Sequence, residues 1–188
     1  MPAISKKDQI VTQALTLFYQ HGFNATGIDR IISEAGVSKK TLYNHFRSKD
    51  ELILAVLSKR DEIFRQKLVE STEKSGSTAQ DKLLALFDFM HKWFHEKNFF
   101  GCMFINASAE FSDAAHPSHV LCSEHKHLIR EYIKSLAVNA KAKDPEELAL
   151  QLNLLIEGAI VEAHVSGNKK SALRAKQMAE VFINLSLD

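Results

Sequence analysis

The sequence predicts an all-α chain of about nine helices. Three observations predict it: apolar residues recur at intervals of three and four rather than two, only 3 prolines and 7 glycines interrupt 188 residues, and capping residues such as Ser5, Thr26, Ser38 and Ser48 stand before the first periodic segments.

Ser5 opens a first helix in which Ile10, Ala14, Leu17 and Phe18 make one apolar stripe, and Gly22 supplies a left-handed stop after His21. Thr26 reads as the cap of a short second helix with Ile28, Ile31, Ile32 and Ala35 turned inward, closed by Gly36. Val37 follows as a buried plug. Ser38 caps a third short helix from Lys39 to about His45, and Ser48 with Glu51 forms a capping box that opens a fourth, amphipathic to about residue 73. Ser75-Gly76-Ser77-Thr78 is a linker. Further helices are expected near 79–97, 101–112, 117–140, 145–166 and 170–187, with Pro117 and Pro145 at two of the starts.

Charge is unevenly spread. Residues 1–60 hold nine Lys and Arg against five Asp and Glu, whereas residues 61–188 hold 15 against 18, so an overall +1 conceals a basic N-terminal third. The longest apolar runs, 83–87 and 148–156, are too short or too interrupted to cross a bilayer, and Met1-Pro2-Ala3 leads into lysines without an apolar signal region. A cytoplasmic location is expected, with Cys102 and Cys122 as reduced thiols.

The basic third has a specific form. Two short helices joined by Ala35-Gly36-Val37-Ser38 make a helix-turn-helix, with glycine permitting the left-handed turn and valine filling the corner. Leu42 and Phe46, at i and i+4, hold the second helix against its own domain. Lys39, Lys40, Thr41, Tyr43, Asn44 and His45 then remain for the outward faces. Such a helix fits a major groove of roughly 12 Å, and its side chains suit DNA contact, with lysine for phosphate or guanine edges, asparagine for a bidentate adenine contact and threonine for a thymine methyl. A solvated basic helix is the plainer alternative; the turn, the caps and the interleaved Tyr43 favour DNA.

The stretch GFNATGIDRIISEAGVSKKTLYNHFRSKDELI, residues 22–53, closely resembles the N-terminal domain of TetR-family transcriptional regulators. The resemblance implies a three-helix DNA-binding head (1–48), a fourth helix leading into a helical ligand-binding and dimerisation domain (49–188), and a homodimer on a double-stranded DNA operator. Carried over by position, Lys39, Lys40, Thr41 and Asn44 are the groove-facing set, and Thr26, Tyr43, His45 and Lys49 the phosphate contacts. Two departures stand out. Gly27 replaces a frequent Thr or Ser, and Lys40 replaces a frequent glycine, so the operator does not transfer from a relative.

In the body, residues 87–111 hold eight of the chain's sixteen aromatics. Helically spaced aromatics usually form core, but a TetR-like body implies a small-molecule effector held in an apolar cavity with few polar groups. The candidate lining is Phe87, Met90, Trp93, Phe94, Met103, Phe104, Ala107 and Phe111, with Asn106 and Glu110 as polar anchors. The segment GCMFINASAEF resembles one in a group of TetR-like C-terminal bodies. The broad apolar faces of 145–166 and 170–187 fit a four-helix dimer interface, with packing inside one chain as the alternative.

Six of nine histidines fall between 91 and 127: His91, His95, His116, His119, His125 and His127. His91 and His95 share a helix face, yet no HExxH, CxxC, nucleophile elbow or phosphate loop is present. Neither a metal site nor a cofactor nor an enzyme is expected. The favoured reading is a regulator, with a repressor released from its operator by an effector as its form. The alternatives are a constitutive DNA-binding protein with a closed body and a histidine-dependent metal or redox sensor or enzyme.

Overall fold

The computed structural model describes residues 5–187. Among the described residues the chain forms nine helices: α1 (Lys6–His21), α2 (Ile28–Ala35), α3 (Lys39–His45), α4 (Lys49–Ser75), α5 (Ala79–Phe94), α6 (Met103–Glu110), α7 (Pro117–Asn139), α8 (Pro145–Val165) and α9 (Ser171–Leu187). Packing groups them into two compact units. One joins the residues up to Ile63 with Cys102–His125; the other joins Phe64–Gly101 with the residues from Lys126 onward.

In the first unit, α1 opens on Ser5, whose hydroxyl accepts from the Asp8 amide at 3.0 Å, and buries Ile10, Ala14, Leu17 and Phe18. Gly22 ends the helix at φ 84° while its amide still donates to Phe18 O. The cap of α2 differs from the sequence expectation. Gly27 occupies that position without a side-chain bond, and Thr26 is fully buried, its Oγ1 donating to Gly22 O at 2.7 Å. A hydroxyl drawn into an apolar interior must find an acceptor, and the carbonyl at the end of α1 supplies one.

Gly36, at φ 58°, terminates α2 in the left-handed region, and Val37 behind it is only half-buried. Ser38 caps α3 by accepting from the Thr41 amide at 3.0 Å. Only half of the capping box expected at α4 forms as drawn. Ser48 Oγ accepts from the Glu51 amide, but the Glu51 carboxylate reaches back to the Arg47 amide at 2.7 Å.

In the second unit, Thr78 and Asp81 make a complete capping box for α5, and hydrogen bonds from Thr78 and Ser77 hold the Asp81 carboxyl below the usual carboxylate range. α5 stops three residues short of expectation, at Phe94, where the His95 and Glu96 amides tighten onto Lys92 O and Trp93 O. α6, in the first unit, starts after Gly101, whose φ of 81° excludes it from a helix. α8 opens on Asp144 with Pro145 in the first turn, and Gly167 follows its end at φ 68°. α8 and α9 pack on each other, fastened by Ser171 Oγ donating to Ala159 O at 2.8 Å, and Ala159, Ala163, Ala172, Ala175 and Ala179 of the two helices are buried. Lys176 ties α9 to α5 through both oxygens of Asp88 at 2.8 Å.

α8 is long and apolar enough to cross a membrane by composition alone, with 39% of its most apolar window buried within the protein.

Two substitutions separate packing from backbone strain. Leu42→Ala, which empties a fully buried site, is expected to cost about 2–5 kcal/mol in urea unfolding. Gly36→Ala, whose added Cβ would meet nothing within 4 Å but must hold φ 58°, is expected to cost about 1–2 kcal/mol.

Candidate nucleic-acid interface

Seven residues form α3, and burial decides which way they point. Leu42 is 0% and Phe46 2% exposed, so the opposite side of the helix is presented outward. Lys39, Lys40, Asn44 and His45 are exposed, Tyr43 is 44% exposed, and Thr41 is half-buried. Lys40, Tyr43 and Asn44 make no side-chain hydrogen bond among the described residues. Their polar groups are therefore free for another molecule.

The remaining predicted contacts are less free. Lys39 Nζ pairs with Asp29 of α2 at 3.3 Å, an exposed ion pair of the kind that contributes at most about 1 kcal/mol. The Thr41 hydroxyl lies 2.8 Å from Ser38 Oγ, which turns it toward the cap. Lys49 is half-buried, its Nζ 3.4 Å from Asn24 O. Thr26 leaves the set altogether, because its buried hydroxyl is engaged with Gly22 O. What faces outward at the start of α2 is instead uncapped backbone: Gly27 contributes no side chain, and the first-turn amides can meet an anion.

Arg47, in the turn between α3 and α4, belongs to the basic run but not to the predicted contacts; it is exposed and extends the same positive surface. Lys7 lies over the Phe46 ring at 5.8 Å and adds a cation nearby. A face of exposed Lys and Arg around an asparagine and a tyrosine can neutralise phosphates and offer donors and acceptors to base edges.

A helix-turn-helix on this pattern is found in known proteins. Residues 10–56 match the family profile described as bacterial regulatory proteins, tetR family, and residues 79–179, more than half of the chain, match a tetracyclin repressor-like C-terminal domain. The chain belongs to the TetR family. As a member it is a DNA-binding transcriptional regulator. It is 23% identical over 184 residues to the HTH-type transcriptional regulator YjdC of Escherichia coli, covering 96% of this chain and 95% of that one. It is 25% identical over 108 residues to the E. coli HTH-type transcriptional repressor NemR, covering 57% and 54% respectively. The solved structure of SCO4454, a TetR-family transcriptional regulator from Streptomyces coelicolor, superposes with a TM-score of 0.90 at 27% identity, over 97% of this chain and 96% of that one.

The effector-lining candidates of this TetR-family chain fall into two sets. Phe87, Met90, Trp93 and Phe94 are buried on α5 in the second unit, where Trp93 stands edge-on to Phe64 at 4.9 Å and to Phe99 at 5.1 Å. Met103, Phe104 and Ala107 are buried on α6 in the first unit, with Asn106 and Phe111 half-buried. Phe104 stacks on the His125 ring at 3.6 Å, and His125 Nδ1 meets Asp61 Oδ1 at 2.7 Å. Glu110 does not fit the expected ligand anchor, since both of its carboxylate oxygens accept backbone amides, from Phe23 and Asn24.

The histidines do not converge. His95 Nδ1 bonds to His91 O, His116 stacks on Phe111, and His119 Nδ1 bonds to Phe111 O. Among the described residues no group of three or more His, Cys, Asp or Glu is placed to hold a metal. Cys102 and Cys122 are both buried and form no disulfide.

The inward turn of Thr26 has a measurable consequence. Thr26→Val, which leaves Gly22 O without this buried donor, is expected to lower unfolding stability by about 1–3 kcal/mol. The salt dependence of DNA binding should stay unchanged, whereas loss of a phosphate contact would reduce the log–log slope by about 1 per protomer.

Proposed function

We propose that this regulator binds its operator as a homodimer, with α3 of each protomer in the major groove, and acts as a repressor that a small molecule releases. The observation that carries the reading is the outward face of α3, where Lys40, Tyr43 and Asn44 project without partners while Leu42 and Phe46 are locked beneath them. Lys40 and Asn44 read bases, with Lys39 and Thr41 beside them. Tyr43, His45, Lys49 and the first-turn amides of α2 fix the register on phosphates. Residues 1–48 then supply the DNA-contacting domain and residues 49–188 the effector-binding and dimerisation domain of a cytoplasmic protein.

The dimer reading rests on α8 and α9. Leu154 (73% exposed), Val165 (78%), Val181 and Leu185 leave a stripe of apolar side chains open on the two helices. Between them runs a shallow, mostly apolar groove of about 280 Å³ that includes Leu154, Gly158, Ala159, Arg174 and Met178. A second copy applied about a two-fold axis presents the same stripe and groove and covers both. The operator expected for such a dimer carries two half-sites, one for each α3, about 34–36 Å apart. The effector releases DNA by binding more tightly to the conformation that misplaces them. The buried aromatic residues of α5, within the second unit, are the proposed source of its apolar lining.

Selection from a random DNA pool supplies an operator on which these roles separate. About eight phosphate contacts per dimer give an expected log–log salt slope of about −7; a flat response is incompatible with this interface. Asn44→Ala is expected to lose about 1–3 kcal/mol mainly at one base position, and Lys49→Ala to weaken operator and random DNA alike. Leu154→Arg should shift the protein from dimer to monomer in analytical ultracentrifugation, and a dimer unchanged by it would remove α8 from the interface.

A further inference from the structure

The turn between α1 and α2 is held by a residue remote in sequence. Helix α1 ends at Gly22, and the next two amides have no intrahelical acceptor. Phe23 N–H donates to Glu110 Oε1 at 2.8 Å, and Asn24 N–H donates to Glu110 Oε2 at 2.6 Å, bonds that span 87 and 86 positions of the chain. One carboxylate thus closes two backbone donors with charge-assisted bonds, roughly twice as strong as neutral ones.

The surroundings fit that contact closely. Gly22 combines φ 84° with the absence of a Cβ, which would lie 3.0 Å from Glu110 Oε1. Phe111, the next residue, sets its ring edge-on to Phe23 at 5.8 Å, and Phe23 stacks on Phe18 of α1 at 5.1 Å. On its other side Phe111 stacks on His116 at 4.8 Å, and its carbonyl meets His119 Nδ1 at 2.8 Å, which fixes the end of α6 against the start of α7. The Asn24 carbonyl faces Lys49, the first residue of α4. The segment that leads into α2 is therefore gripped from the C-terminal end of α6.

We propose that Glu110 is a positioning residue for DNA binding: its carboxylate sets the α1–α2 turn, and through it the start of α2, so that the state of the last turn of α6 is felt at the DNA-facing surface. This inference rests on the DNA-binding reading above. The two bonds are short and share one side chain, so a shift of about 1 Å at Glu110 breaks both rather than weakening each slightly. Glu110 itself touches no DNA; it acts through the backbone it holds.

The test uses the full-length protein, with the Phe23 and Asn24 amides followed by NMR hydrogen exchange and DNA affinity measured on a duplex that the wild type selects from a random pool. Glu110→Ala should remove protection at both amides, whereas Glu110→Gln, which keeps one acceptor oxygen and turns an NH2 toward the other donor, should spare one. Affinity for the selected duplex should fall about tenfold in the alanine variant and less in the glutamine variant, with the salt slope unchanged. A purely structural role would lower the melting temperature while the folded variant bound DNA as before. Unchanged amide protection in Glu110→Ala overturns the clamp, and lost protection with affinity within twofold of wild type overturns its role in binding. Should the alanine variant fail to fold, the glutamine variant and Phe111→Leu apply the same two readouts. If the wild type selects no sequence, the DNA reading fails and this proposal falls with it, while the amides still report whether the clamp exists.

Discussion

The outward surface of α3, the one proposed to meet DNA, depends on the burial of two side chains. Leu42 and Phe46, one turn apart, are withdrawn from water on one side of α3, and no rotation of that helix keeps them buried while pointing Lys40 and Asn44 elsewhere. Full burial of a Leu and a Phe is worth roughly 1.5–3 kcal/mol each. The exposed ion pair between Lys39 of α3 and Asp29 of α2 contributes far less. Apolar packing therefore sets which side of α3 faces outward, and the charged and polar side chains are left on that side.

A helix of seven residues is too short to be stable alone, so its ends matter as much as its face. Ser38 supplies an acceptor at the start, and Phe46 closes the end with its amide still bonded to Leu42 O. The same need to satisfy backbone groups explains the less obvious residues of the first unit. Thr26 turns inward to serve a carbonyl at the end of α1, and Glu110 serves two amides that follow it. Each side chain is polar and looks available for a ligand until the backbone groups around it are counted.

In the second unit the constraint is one of small residues. Alanines along α8 and α9 let the two helices approach, and Ser171 sits buried between them because Ala159 O accepts its hydroxyl. With the small residues turned inward, the outward face is rich in Leu and Val, which makes α8 apolar enough to resemble a membrane span by composition. Glu162 and Arg174 lie beside the groove and add one charge of each sign to this otherwise apolar face.

Much of this was legible in the sequence. The helix count, most of the caps, the turn at Gly36 and the division of α3 into an inner pair and an outer set follow from periodicity and capping chemistry, which act over three or four residues. The resemblance of residues 22–53 to the TetR family located the function, and the family profiles that match both halves of the chain bear it out. Other features depended on partners far away in the chain. The chain order assigned Thr26 to a cap and Glu110 to a ligand, yet the first is buried against Gly22 O and the second is bound to amides 86 and 87 positions away. Asp29 at Lys39, and the separation of the aromatic candidates between two packed units, are of the same kind. Local spacing determined which elements form and which side of each is apolar; only the tertiary structure decided which polar groups were already engaged, because a buried hydrogen bond is satisfied by whatever lies beside it in space.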